Sequence, residues 1–443
     1  MTQQFEGDFK LKSITITPIA KGTKYSGTSI DIKELIAEIN IKESVLSASL
    51  YCNIVLQDIS ENLIETLPIM GQEKIILQVA SDKKTYTLEF YVYSVDGRTM
   101  MEKNQVYILH CCSLEALQNE TYRICERLDG VKAHEFIEER LKVFTEKKLI
   151  DHDESLHKFD MYVPNWRFFD TCAWLRPRTV AVEHKDSVGY LFWETFDGYH
   201  FKSVDTLFNQ TPYPSNNTHY SYAQANVATD DVKHRILKYA SPKAFNIFDD
   251  HRAGGYAHDA CYIDINTRSY RIFRTTADDF WGDSTHLGDL KPYRSDGPVN
   301  FTKGSGRMVY RPTTINTFGK WEDVESQGKL TEDEFIDEKN KMYEKALYRF
   351  YFMEYNKLDV AIPGDLDLRA GSIINVSIPS PSVNNSDVKE DKRMSGRYLV
   401  NSISHVLNRD KLKTRVTLTR DSYGGRSLPD SSRSKREVTL GIT

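Results

Sequence analysis

The chain has 443 residues, enough for two to four domains, with 40% hydrophobic and 12% aromatic side chains from which to build cores. Its net charge of −5 argues against tight nucleic-acid binding, which draws its affinity from phosphates neutralised by a basic excess. No apolar run approaches the roughly 18 residues of a membrane helix, and Met1-Thr2-Gln3-Gln4-Phe5-Glu6 is no secretory signal, so no membrane anchor is expected.

Residues 12–113 read as β-rich. Ile14 and Ile16 alternate, as do Ile39 and Ile41, then Leu46, Ala48, Leu50, Cys52, Ile54 and Leu56. Asp58 is placed to cap a short helix carrying Ile59, Leu63, Ile64 and Leu67, which Pro68 and Gly71 end. Ile75, Leu77 and Val79 form the next strand, and Leu88, Phe90 and Val92 one face of another. Asp96-Gly97 reads as a turn, with Val106 to Leu109 returning.

Residues 114–180 turn helical. Ser113 is placed to cap a helix from Leu114 to Leu128, Val131 to Phe144 forms a second, and a third starts near Asn165 and ends at Pro177. Tyr190 to Glu194 and Tyr199 to Ser203 then make a hairpin about Asp197-Gly198. Residues 208–330 are rich in Asn, Ser, Thr, Asp and Gly. Val232 to Tyr239 and Tyr262 to Phe273 are their candidate strands, and the region reads as an insertion facing a partner.

Thr331 with Glu334 forms a capping box for a long helix carrying Phe335, Ile336, Met342, Tyr343, Ala346, Leu347 and Phe350. Strand periodicity follows in Leu358, Val360 and Ile362. After the Pro363-Gly364 turn it continues in Leu366 and Leu368, then in Ile374, Val376 and Ile378 beyond Gly371. A polar loop from Pro379 to Gly396 leads to Arg397-Tyr398-Leu399-Val400, and a last strand lies between Thr414 and Thr419. Residues 423–443 read as a flexible tail.

No constellation supports catalysis. His134-Glu135-Phe136-Ile137-Glu138 lacks the second histidine of a zinc-protease helix and reads as a solvated helix face. Asp151-His152-Asp153-Glu154 with His157 lacks a glycine-centred cation loop and reads as an exposed connector. Gly304-Ser305-Gly306 is a loop, since Gly-x-Ser-x-Gly is absent. Glu194 and Asp197 bracket a turn, with no second carboxylate placed across a cleft as a glycosidase needs. His405 reads as a satisfied histidine at a barrel rim. The six cysteines form no Cys-x-x-Cys pair and read as reduced, mostly buried thiols. No metal or cofactor is expected.

Three stretches carry a resemblance. They are "ENLIETLPIMGQEKIILQVA"; Gly189 to Leu207, with its Gly-Tyr-Leu-Phe-x-Glu and Gly-Tyr-x-Phe-x-Ser phrases; and the ordered set Gly371, Ile374, Val376, Gly396, Tyr398, Val400 and His405 after the long helix. Together they resemble the baseplate hub proteins of contractile-tailed bacteriophages, over roughly residues 12 to 422. The resemblance implies a mainly β fold with α+β insertions, built of two tail-tube-like antiparallel β-barrels and a helical or mixed middle domain. The expected boundaries are 1–115 for the first barrel, 116–207 for the middle domain and 208–422 for the second barrel. The second barrel would hold an inserted region around 240–330 and the helix 331–356, with 423–443 as the tail.

The family further implies a homotrimer joining a sixfold tail tube, or its initiator, to a threefold central spike. Baseplate wedge and tape measure proteins are further implied partners, and DNA passes through the lumen without specific binding. Gly71, Gly189, Gly198, Gly364, Gly371, Gly396, Tyr398 and His405 are the expected structural turn and motif positions. The hub of a type VI or other contractile injection system is a related reading, and a tail-associated cell-wall hydrolase one of a different class.

Overall fold

The computed structural model describes residues 9–19, 28–58, 69–81, 84–101, 104–185, 187–215, 218–222, 233–242, 245–265, 268–312, 332–380, 390–408 and 411–424. The expected helix after Asp58, the Thr331 capping box and residues 425–443 lie outside them.

Alternating apolar residues build the N-terminal part from β1 (Lys10–Thr17), β2 (Ile30–Asp31), β3 (Ile36–Ser44), β4 (Tyr51–Asp58), β5 (Lys74–Ala80), β6 (Thr85–Met101) and β7 (Asn104–Cys112). The middle part holds α1 (Leu114–Thr121), β8 (Ile124–Lys132), α2 (Ala133–Phe144), β9 (Leu149–His152), β10 (Lys158–Trp166), α3 (Phe168–Leu175), β11 (Tyr190–Thr195), β12 (Gly198–Ser203) and α4 (Val204–Asn209). Next come β13 (His219–Ser221), β14 (Lys238–Ala240), α5 (Ile247–Arg252), β15 (Ala257–Asp264), β16 (Ser269–Thr276), α6 (Ala277–Trp281) and β17 (Met308–Pro312). The 22-residue α7 (Glu332–Met353) leads to β18 (Asn356–Pro363), β19 (Ile373–Ser377), β20 (Gly396–Asn408) and β21 (Lys411–Arg420).

The protein is mainly antiparallel β, and its two β lobes share one sheet. Thirteen strands form one sheet in the order β14-β18-β21-β20-β3-β4-β7-β6-β5-β1-β2, with β13 and β19 branching from β20. In the second lobe Ser221 bridges Arg235, Ile236 N donates to Ser221 O at 2.8 Å and Leu237 N to Ala361 O at 2.8 Å, so the pairings run from β19 through β13 and the segment 234–240 to β18, β21, β20 and back to β19. The strand that joins the lobes is β20. Its first residues, Gly396 to Leu399, pair with β19, and its last, Ser402 to Asn408, pair with β3, while β21 follows its other edge. The register slips between Val400 and Ser402, leaving Asn401 as a bulge. A bulge bends and twists a strand, which lets one strand serve both lobes. One hydrophobic core fills each lobe, the first around Leu56, Phe90 and Leu109, the second around Val360, Val400 and Leu418.

Several sequence expectations change. The helix from Leu114 stops at Thr121, because Ile124 to Leu128 pair as a strand with β10. Ser113 makes no capping bond; its Oγ donates to Glu194 instead, at 2.8 Å. Asp96-Gly97 is no hairpin turn: β6 continues to Met101, with a register shift between Asp96 and Thr99. Leu46 to Leu50 precede β4 as a turn closed by Ser47 N donating to Ser44 O at 3.1 Å. Leu366 and Leu368 are buried in a turn rather than a strand. Tyr423, at the head of the expected tail, exchanges two backbone hydrogen bonds with Leu290 at 2.9 and 3.0 Å. The five cysteines other than the exposed Cys125 are buried, and all six are free. No helix among the described residues is long and apolar enough to cross a membrane.

Candidate functional site

The hairpin of β11 and β12 is where the parts of the molecule meet. Every residue of β11 is buried, which a strand achieves only between two packed layers. Its period of two divides it: Tyr190 and Phe192 enter the aromatic core of the middle part, while Leu191 and Trp193 enter a second cluster with Val45, Met353, Ala370 and Leu399. Trp193 donates from Nε1 to Ala370 O at 3.2 Å and stacks on His200, with ring centres 4.9 Å apart. Gly371 lies against its indole. With φ +91° and only 2.6 Å from an ideal Cβ to Trp193 Cζ2, this position suits glycine alone.

The hairpin tip is held by charge. Glu43, on β3 and fully buried, accepts from Phe196 N and Ala370 N, each at 3.1 Å. Burial pushes its carboxyl up to about 7, although Arg369 and the two N–H donors pull it down. Arg369 donates from Nε to Asp197 at 2.8 Å and lies over the rings of Tyr86 and Phe196. Lys84 also donates to Asp197, at 2.9 Å. His405 is wholly buried in mid-strand, not at a rim. Its Nδ1 is 3.0 Å from Thr414 Oγ1, its ring lies 5.5 Å from that of Phe196, and burial drives it down to about 3.

Glu43 therefore makes stability pH-dependent. Its folded value lies above the ordinary 4.5 of an exposed glutamate, so its contribution is complete below that value and is lost as pH rises through about 7. Urea midpoints of the wild type and Glu43→Gln, compared from pH 5 to 8, are expected to converge or cross. The wild type should lose up to about 3 kcal/mol relative to the variant over this range. A constant difference would refute the titration.

Glu194 and Asp197 have structural partners. Glu194 accepts from Leu50 N at 2.9 Å and from Ser113, and pairs with Lys147, which also pairs with Glu115 at 2.9 Å. His134 is buried rather than solvated, with Nδ1 2.9 Å from Ser155 Oγ and its ring stacked on His152. The Asp151 connector is a strand pairing parallel with β12, and Asp151 bonds Lys202 at 2.7 Å. Ser305, in its loop, donates to Arg307 O. Among the described residues no three His, Cys, Asp or Glu side chains group to hold a metal ion.

A second buried network joins α7 to the end of β21. Arg349 donates to Asp421 at 2.9 Å and to Asp205 at 3.2 Å. Asp421 also lies 2.6 Å from His286 Nδ1; burial would raise its carboxyl, but His286 and Arg349 outweigh it and hold it below the usual range.

The expected motif positions fall into three places. Gly198, Gly371 and His405 surround the hairpin, and Gly189 precedes it against Phe350 of α7. Gly364 lies against Leu412 where β18 ends. Gly396 and Tyr398 begin β20, where Tyr398 OH donates to Met394 O at 2.8 Å. Gly71 is apart, its N–H donating to Glu73 before β5. Glu43, Arg369 and Arg349 were not singled out. Glu43 carried a signal, since it falls in the inward phase of Ile39 and Ile41.

Gly396 also borders a cleft of about 1390 Å³ between the second lobe and the segment 288–301. Tyr256, Tyr293, Phe301 and Tyr355 line its depth.

No family model matches this chain, and no curated protein matches it at a significant level. It is similar to solved structures. A tail protein from Neisseria meningitidis MC58 gives a TM-score of 0.49 at 10% identity, covering 92% of this chain and 96% of that one. The 43 kDa tail protein of prophage MuSo2 from Shewanella oneidensis gives 0.48 at 9%, covering 93% and 99%. A type VI secretion system component of E. coli gives 0.41 at 9%, covering 95% and 79%.

Proposed function

We propose that this chain is the structural baseplate hub of a contractile phage tail, acting as an adaptor and conduit rather than an enzyme. Three copies would join a sixfold tail tube, or its initiator, to a threefold central spike, with baseplate wedge and tape measure proteins as further neighbours and DNA passing through the lumen. The observation that carries this reading is the sheet continuous through β20, which makes two β lobes of one chain into one body. Three such bodies about a threefold axis present six similar lobes, so one face can approximate sixfold symmetry while the other stays threefold.

Residues 1–115 and 208–422 would supply the two tube-like lobes, and 116–207 the middle domain whose hairpin locks them together. The three sequence stretches that resemble hub proteins support this, and the strongest of them in the middle, Gly189 to Leu207, contains that hairpin. The place of action would be the virion baseplate, after assembly in the host cytoplasm.

The test is the mass of the purified chain by light scattering, with negative-stain images of the same sample. A trimer appearing as a ring with a central hole is the expected result, alone or on addition of the spike. A chain that stays monomeric with its spike and tube partners present would overturn the proposal.

A further inference from the structure

We infer that the cleft beside Gly396 is a docking groove for an extended acidic segment of another protein, one that also carries apolar side chains. Apolar side chains line the cleft and stay exposed: Phe245 is 57% exposed, Leu290 54% and Val299 61%, although all three line a concave surface. Exposed apolar side chains gathered in one concavity mark a binding site more often than a free surface.

Charge says what kind of segment fits. Among the described residues Lys291, Arg294, Lys392, Arg393 and Arg397 line the cleft against a single acidic side chain, Glu390. Lys291 is neutralised by Asp278 at 2.5 Å. Arg294, Lys392 and Arg393 are exposed, and none has an ion-pair partner among the described residues. Behind the wall, the buried Arg420 donates from Nη1 to Ser395 O at 3.0 Å and lies over Tyr423, and both of those residues line the cleft. The groove thus joins an apolar floor to a positive rim within a chain whose net charge is −5. A negative, apolar-bearing chain is its electrostatic complement.

Residues 425–443, which follow Gly424 at the rim, do not supply that complement: Arg426, Arg433, Lys435 and Arg436 outnumber Asp430 and Glu437. An extended polypeptide suits the groove better than a nucleic acid, because its buried lining is aromatic at Tyr256, Tyr293 and Tyr355, while the exposed cations are Lys291, Arg294, Lys392 and Arg393. The inference rests on the cleft alone and stands whether or not the chain forms a trimer.

The test uses the full chain and a fluorescein-labelled sixteen-residue peptide of alternating Glu with Leu or Phe, followed by fluorescence anisotropy. A twin with Lys in place of Glu and a single-stranded oligothymidine serve as the other two arms. The acidic peptide is expected to bind saturably and more weakly as salt rises. Arg294→Glu, Lys392→Glu and Arg393→Glu combined should weaken it by about tenfold or more, the scale expected of three rim charges. Val299→Asp, in the apolar part, should weaken it as well. Single reversals at Arg294 and Arg393 keep the comparison readable if the triple variant unfolds early. Equal binding of the basic twin, unchanged binding by the charge-reversed variants, or displacement of the peptide by the oligothymidine would each overturn the inference.

Discussion

Arg349→Met is expected to destabilise the folded chain by about 3–5 kcal/mol, because it strands two buried carboxylates rather than one. Asp205 and Asp421 are both buried, and the guanidinium between them is 5% exposed. It reaches Asp421 through Nη1 and Asp205 through Nη2, a fork that no single-point cation reproduces. The remaining partners are Ser187 and Thr285 N for Asp205, and His286, Leu287 N and Ser422 Oγ for Asp421. They satisfy hydrogen bonds without replacing the lost guanidinium charge.

Adding Asp205→Asn and Asp421→Asn to the variant should recover much of the lost stability. Urea unfolding monitored by tryptophan fluorescence reads all of these. Lys142→Ala is the control, since it removes an exposed helix pair with Glu138 at 2.8 Å and should change stability by less than about 0.5 kcal/mol. An Arg349→Met effect as small as the control would mean that the network is not energetically coupled.

Gly371→Ala is the second large effect, expected at about 2–5 kcal/mol. Two causes add. A left-handed φ costs a residue with a Cβ about 1–2 kcal/mol, and driving that carbon into the buried indole of Trp193 costs about 1–3 kcal/mol. They are separable. In a Trp193→Leu background the steric part should largely vanish while the backbone part stays, so the cost of Gly371→Ala should fall to about 1–2 kcal/mol. Additive losses would show that the contact is not tight. Hydrogen exchange should locate the damage, with β11, β12 and the start of β19 losing protection before β4 and β7.

Both effects fall on joints, and joints were the part of this fold least visible in the sequence. What the sequence determined by itself was local. Period-two runs such as Ile75, Leu77, Val79 and Leu358, Val360, Ile362 place strands because side-chain alternation is intrinsic to an extended backbone. Asp197-Gly198 between aromatic runs marks the hairpin, and the long stripe from Met342 to Phe350 marks α7. The phrase from Gly189 to Leu207 also pointed to the segment that proves central, though not to why.

The tertiary structure alone decided which segments pair across distance. Ile124 to Leu128 continue a helical pattern, yet lie in a strand because β10, some forty residues later, supplies hydrogen-bond partners that an isolated helix end lacks. Leu46 to Leu50 alternate like a strand, yet turn so that Leu50 N can meet Glu194 from the far side of the middle part. Two β-rich stretches predict two β lobes, but not the strand that joins them. The slip of one residue at Asn401, invisible in composition or period, carries β20 from one lobe into the other. Buried charges obey the same rule. Glu43 can be suspected from its phase beside Ile39 and Ile41, but its partners Phe196 and Ala370 lie 153 and 327 residues away. Only the folded chain brings those donors to the carboxylate.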